Sequence, residues 1–110
     1  DAAARILKIV AFLEDNADRF HGAWPHWFRC DTGATIPFSS TDDGADLVET
    51  SFVVQGLLVV RQYFDAPDDP TELAIRERST RLWEEVEWSF FQNGDCIYWH
   101  WSPIHGLSNF

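Results

Sequence analysis

Asp46 to Phe64 reads DLVETSFVVQGLLVVRQYF, and its folding decides the architecture. From Leu47 onward the stretch is apolar almost all round, with Glu49 and Gln55 as the main interruptions. Its β-branched residues would suit a buried strand, but strands seldom exceed about ten residues, so length selects a helix. A helix apolar on nearly every side is expected to be buried on nearly every side. We place it from Asp43 to Phe64. Three helices are too few to enclose it, so the chain reads as part of a larger helical assembly.

Just upstream lies TDDGADLVETSF, Thr41 to Phe52, with Asp42, Asp43, Asp46 and Glu49 at the mouth of the apolar run. Carboxylates are costly to bury unless paired, hydrogen-bonded or used. Capping explains part of the group: Asp43 is the expected N-cap with Asp46 reaching back to it, and acids near a helix N-terminus gain from the macrodipole. Glu49, about two turns in and beside Val48 and Phe52, is explained by neither capping nor solvation. Asp46 and Glu49 stand at i, i+3 on one helix face, with Asp42 on a similar bearing one turn earlier. Crowded acids raise one pKa and keep another low, which supplies a proton donor beside an ionised base.

Further outward, Ala3 to Asp18 carries Ile6, Leu7, Val10, Ala11, Leu13 and Ala17 at near-helical spacing, an amphipathic first helix. FHGAWPHWFRCDTGATIPF follows, two short extended runs about Asp31-Thr32-Gly33, which predicts a hairpin. Downstream, Asp69-Pro70-Thr71-Glu72 supplies an N-cap, Pro at the first helical position and Glu three residues after the cap. This third helix is expected to run from Pro70 to about Phe91, with Leu73, Thr80, Trp83, Val86 and Phe90 along its apolar stripe. Asn93-Gly94-Asp95 is a turn, CIYWHW a short strand, and SPIHGLSNF a loop-like ending. Twice a helix ends in a Trp- and His-rich extended piece. Inner and outer helices alternating with aromatic loops at one end follow the logic of a helical toroid.

The 110 residues carry 8 basic and 18 acidic groups, a formal charge of −10. That balance disfavours nucleic acid and anionic membrane surfaces as partners. No apolar run approaches the ~20 residues that span a bilayer. No Met occurs, so Asp1 is not a translation start, and the chain reads as a portion of a longer one. Cys30 and Cys96 lie in no metal-ligand spacing, and their separation neither favours nor excludes a bridge.

Six of the residues are Trp. Trp24, His26, Trp27 and Phe28 precede the acids, and Tyr98, Trp99, His100 and Trp101 follow the third helix. By strand alternation Tyr98, His100 and Trp27 are expected on one side, Trp99 and Trp101 on the other. Some of these rings belong to a core, but rings with polar handles also stack on sugar faces while donating to hydroxyls. His26, His100 and His105 have no metal spacing, so no metal or other cofactor is expected. Carboxylates with Trp and His, without a phosphate loop or nucleophile elbow, point to glycoside hydrolysis. The alternatives are a non-catalytic carbohydrate-binding or structural helical domain, an α-glucan hydrolase, and a lyase on an acidic polysaccharide, the last disfavoured because the aromatic segments offer only Arg29. Two acids one helical turn apart are close for the ~6.5–9.5 Å of an inverting pair, which leaves room for a partner acid elsewhere.

HGAWPHWFRCDTGATIPFSSTDDGADLVETSFVVQGLLVVRQYF, the helix ending LWEEVEWSFF, and YWHWSPIHG together resemble the bacterial glycoamylase-like proteins that include β-1,2-glucanases. The resemblance covers nearly the whole chain. It implies a mainly α fold, a portion of an (α/α)6 toroid, with residues 1–110 an N-terminal portion of one catalytic domain. It also implies acid/base hydrolysis of a β-1,2-linked glucan in the periplasm or outside the cell. The family's acidic helix start falls on Asp42, Asp46 and Glu49, and its aromatic cleft on Trp24, His26, Trp99 and His100. Trp27 and Trp101 complete the expected sugar subsites, and a further acid is expected from a later segment.

Overall fold

The computed structural model describes residues 1–109; Phe110 lies outside the described residues. Helix α1 spans Ala2–Asp15 and is capped by the Asp1 side chain, which accepts from Ala3 N. It stops short of the expected Asp18 because Asp18 is used elsewhere. Its backbone N–H donates to Gly33 O, and its carboxylate accepts from the Thr35 backbone and hydroxyl. Those bonds tie the helix end to the expected hairpin, β1 (Trp27–Phe28) with β2 (Thr35–Ile36), in the register Trp27↔Ile36. Gly33 turns the chain at φ +82, where a Cβ would lie 2.1 Å from Asn16 O.

The long apolar stretch is helix α2, Leu47–Tyr63, which begins later than expected. Ala45–Asp46 forms instead strand β3, antiparallel to β6, with Ala45 opposite Trp101 and Asp46 opposite His100. The helix therefore starts where the ladder ends, and Asp46 rather than Asp43 is its N-cap, accepting from Glu49 N at 3.0 Å. Gly44 makes the approach possible, since a Cβ there would lie 2.4 Å from Trp101 O.

Helix α3, Pro70–Glu84, starts as the sequence predicts, with the Asp69 carboxylate accepting from Thr71 N and Glu72 N. Its buried stripe is Ile75, Ser79 and Leu82, continued by the expected Val86, whereas Leu73, expected on the same stripe, is exposed. The helix also ends earlier than Phe91, because Glu87 N turns to bond His21 O, and Trp88–Phe91 winds into a 3₁₀ turn. The expected strand CIYWHW splits in two. β4 (Gln92–Asn93) pairs with β5 (Cys96–Ile97), while β6 (His100–Ser102) joins β3 and β7 (Gly106–Ser108) in the order β3-β6-β7. The ending expected as loop thus contains a strand. The Ser102 hydroxyl forms its turn, accepting from Ile104 N and His105 N.

α3 packs against both α1 and α2, and the shared core gathers Val10, Leu13, Ala23, Trp24, Leu47, Val54, Leu57, Leu82 and Phe91. Arg19 fastens the corner where helices and loops meet. It lies over the Trp24 ring, donates to Gly22 O and Leu82 O, and pairs with Glu85. The molecule measures 46 × 33 × 15 Å. Its thin axis is little more than one helix diameter, so α2 buries only the stripe Leu47, Thr50, Val54 and Leu57. Phe52, Val59 and Tyr63, each more than half exposed, lie on the face that the three helices leave uncovered, as expected of an apolar helix that three helices are too few to enclose. No described helix is long and apolar enough to cross a membrane. Cys30 and Cys96 are free and exposed, neither bridged nor packed.

Candidate active site

The β3–β6 register builds the site. Asp46 stands opposite His100 across the ladder, and the segment before β3 delivers Asp42 to the same point. Asp42 is held there by its own backbone, whose carbonyl accepts from Phe38 N and whose N–H donates to Ser39 Oγ. Asp46, fully buried, accepts from three directions. Oδ1 takes Glu49 N and the Trp99 indole N–H at 3.0 Å each, and Oδ2 takes His26 Nδ1 at 2.8 Å. Asp42 Oδ2 lies 3.1 Å from His26 Nδ1 and 3.2 Å from His100 Nε2, and His100 Nε2 is 3.6 Å from Asp46 Oδ2. Since the His26 N–H is directed at Asp46, neither Asp42 oxygen has a well-aligned hydrogen-bond partner among the described residues, although Asp42 is only 2% exposed. That is a missing donor: a proton, a water or a substrate hydroxyl.

Rings border these acids. Phe38 stacks on His26 with centroids 4.1 Å apart, Trp27 meets both edge-on, and Trp99 leans on His100 from the other side. Trp27, Phe38 and Trp99 are exposed.

No family model matches the chain. Over 107 residues, 94% of its length, it is 49% identical to an exo β-1,2-glucooligosaccharide sophorohydrolase (non-reducing end) of Parabacteroides distasonis, of which it spans 15%. Among solved structures, the endo-β-1,2-glucanase of Chitinophaga pinensis in complex with sophorotriose and glucose is 54% identical with a TM-score of 0.87. The match covers 94% of this chain and 25% of that one. The chain is thus similar to one stretch of bacterial proteins described as β-1,2-glucan hydrolases. A candidate glucoamylase of Bacteroides uniformis is 55% identical with a TM-score of 0.90, over 94% of this chain and 26% of that one. The three helices and short strands thus superpose on one part of larger glucanase and glucoamylase-like proteins.

The electrostatics of the cluster follow from crowding. Burial, then the charge and hydrogen bonding of Asp46, push the Asp42 carboxyl up to about 6 against the opposing pull of His26. Burial pulls the His26 imidazole down, but the Asp46 hydrogen bond and the charges of Asp42, Asp46 and Glu49 outweigh it and hold its pKa above the usual value. His100 goes the other way. Burial lowers it, His26 adds to the lowering, and Asp46 opposes both. The cluster therefore holds a carboxyl that exchanges its proton near pH 6, an imidazole that favours its charged form, and one that favours its neutral form. His26, Asp42 and Asp46 also bring ligand-type atoms within 4.8 Å of one another.

The glucanase-like segment sorts the expected subsite residues into two groups. His26, Trp27, Trp99 and His100 gather at the acids. Trp24 and Trp101 do not, and this corrects their placement in a sugar cleft. Trp24 is 1% exposed, its indole N–H given to Leu13 O and its backbone N–H to the Thr50 hydroxyl. It supports the site from below, because its carbonyl accepts from Asp46 N. Trp101 points to the opposite face of β6 from His100 and packs against Phe20, His21 and Phe90. Trp99 sits with His100 rather than with Trp101 because it precedes the strand, so alternation does not apply to it. Asp43 caps nothing. Glu49 is half-buried one turn into α2, close enough for its charge to act on His26. Phe38 was missed; its only sequence signal is a lone ring after Pro37. A cleft of about 540 Å³ between α1 and β1, lined by Phe12, Phe28 and Cys30, contains no paired acids.

Proposed function

We propose that this chain forms the acidic part of the active site of a glycoside hydrolase that cleaves a β-1,2-linked glucan. The observation that carries the reading is the convergence of two buried carboxylates, Asp42 and Asp46, with two imidazoles between the exposed rings of Trp27, Phe38 and Trp99. The rings offer stacking surfaces for sugar faces, and the acids offer what hydrolysis needs, a group that releases a proton near neutrality beside one that accepts. The β-1,2 linkage is supported by the curated relative and by the Chitinophaga pinensis structure.

Asp42 and Asp46 each place an oxygen within about 3 Å of the same His26 nitrogen. They are too close to stand on opposite sides of a scissile bond, which takes ~5–5.5 Å or more. They act as one proton-sharing unit, and Glu49 is the second in-chain acid. The opposing carboxyl comes from the remainder of the catalytic domain, a segment beyond the 15–26% of the relatives' length that the chain spans. The same remainder covers the exposed side of α2, as the inner helix of an (α/α)6 toroid requires.

The test is the intact protein incubated with β-1,2-glucan, starch and a uronate polymer. We expect reducing ends only from β-1,2-glucan; release from starch alone would favour the α-glucan reading that the Bacteroides uniformis description raises. Asp46→Asn and Glu49→Gln should each lower kcat by about 10²–10⁴-fold with an unchanged circular dichroism spectrum, and wild-type turnover in both would overturn the assignment.

A further inference from the structure

We propose that Asn109 is a positioning residue that holds the His100 imidazole as its Nε2–H tautomer, with Nε2 on the side of Asp42 and Asp46. The inference begins with the backbone. Asn109 adopts φ +60, a left-handed conformation that Asn tolerates better than most residues. In it the Asn109 carbonyl accepts from Trp99 N at 2.7 Å, while the side-chain Nδ2 lies 3.1 Å from His100 Nδ1. The β6–β7 register, His100 opposite Ser108, is what brings residue 109 alongside.

The groups facing His100 fix its proton. Nε2 lies 3.2 Å from Asp42 Oδ2 and 3.6 Å from Asp46 Oδ2, and above about pH 6, where Asp42 is ionised, both carboxylates only accept. The hydrogen of the neutral ring therefore belongs on Nε2. Nδ1 is left as an acceptor, and the Asn109 amide NH₂ is its donor. The reverse amide orientation would require a hydrogen on Nδ1 as well, an imidazolium in a side chain only 12% exposed and close to His26. With His100 held neutral, the cation of the cluster stays on His26. The kinetic consequence rests on the hydrolase reading; the tautomer does not.

In the intact protein labelled with ¹⁵N-histidine, a long-range ¹H–¹⁵N correlation spectrum at pH 7 should show His100 with Nδ1 bare and Nε2 protonated. Asn109→Gly keeps the left-handed backbone and the bond from Trp99 N but removes the amide. We expect both tautomers of His100 to become populated, and kcat on β-1,2-glucan to fall about tenfold with KM within about twofold. Asn109→Asp is isosteric but can only accept, so a proton should be drawn onto Nδ1 and the acidic limb of the pH–rate profile should move. A His100 protonated at Nδ1 in the wild type, or a tautomer ratio unaltered in Asn109→Gly, would overturn the proposal. Because the spectrum needs no turnover, failure to hydrolyse any glucan would count against the proposed function and leave this inference standing on its own reading.

Discussion

Replacing Asp42 by Asn should stabilise the protein at neutral pH and leave it unchanged in acid. The carboxyl is 2% exposed, beside Asp46, with no well-aligned donor. Its pKa rises from 3.8 to about 6 on folding. A carboxyl whose folded pKa lies above its unfolded value contributes stability that is fully present below about pH 4 and lost as the pH rises through about 6. At ~1.4 kcal/mol per pH unit the ceiling is ~3 kcal/mol. Asp42 and Asp46 titrate as a pair, and water reaches the mouth of the cluster, so we expect ~1–2 kcal/mol. Asn imitates the protonated acid: its N–H can face Asp46 and its carbonyl can face the His26 N–H. Urea denaturation of the intact wild-type and Asp42→Asn proteins at pH 4, 5, 6, 7 and 7.5 measures the difference, in which the titrations of groups away from the cluster cancel. The variant should gain stability relative to wild type mainly between pH 4 and 6, level off above that range, and approach wild type as the pH falls below about 4. A variant less stable than wild type at pH 7.5, or a difference that does not change with pH, would refute the reasoning.

Gly44→Ala should push β6 away from β3, because the new Cβ would lie 2.4 Å from Trp101 O; we expect a loss of ~1–3 kcal/mol in thermal denaturation, and an unchanged Tm would contradict the close approach. Trp27→Ala removes a ring that is 52% exposed at the rim of the acids. It should raise KM for β-1,2-glucan about tenfold, the equivalent of a ~1–1.5 kcal/mol ring contact, with kcat within about threefold, whereas a fall in kcat alone would assign Trp27 to the chemistry instead.

The features legible in the sequence are those written locally. Asp69-Pro70-Thr71-Glu72 announces α3 because capping acts within one turn, and Gly33 announces the β1–β2 turn because positive φ excludes most other residues. The site is written non-locally. β3 is two residues long and carries no period of its own; it exists because Ala45 and Asp46 pair with Trp101 and His100, more than fifty positions away. That pairing moves the cap from Asp43 to Asp46 and selects Asp42 as the acid without a donor. It also divides the tryptophans. Composition marks Trp24, Trp27, Trp99 and Trp101 alike, but register turns Trp101 from His100, and the bond from Asp46 N to the Trp24 carbonyl fixes Trp24 beneath the site.

α2 shows the opposite case, a sequence that states more than these residues bury. Hydrophobic periodicity reports the surfaces a helix is built to cover, whereas exposure reports the surfaces its present neighbours cover. In a molecule 15 Å thick the two differ by a whole face. Phe52, Val59 and Tyr63 lie on that face of the helix whose N-cap, Asp46, sits in the acid cluster. Under the proposed function a second layer of helices packed there would bury the apolar face and at the same time bring new side chains to the end where Asp42 and Asp46 share their proton. Covering α2 and completing the acid pair are then one structural event, so a variant that prevents the packing should lose turnover even with every acid in this chain intact.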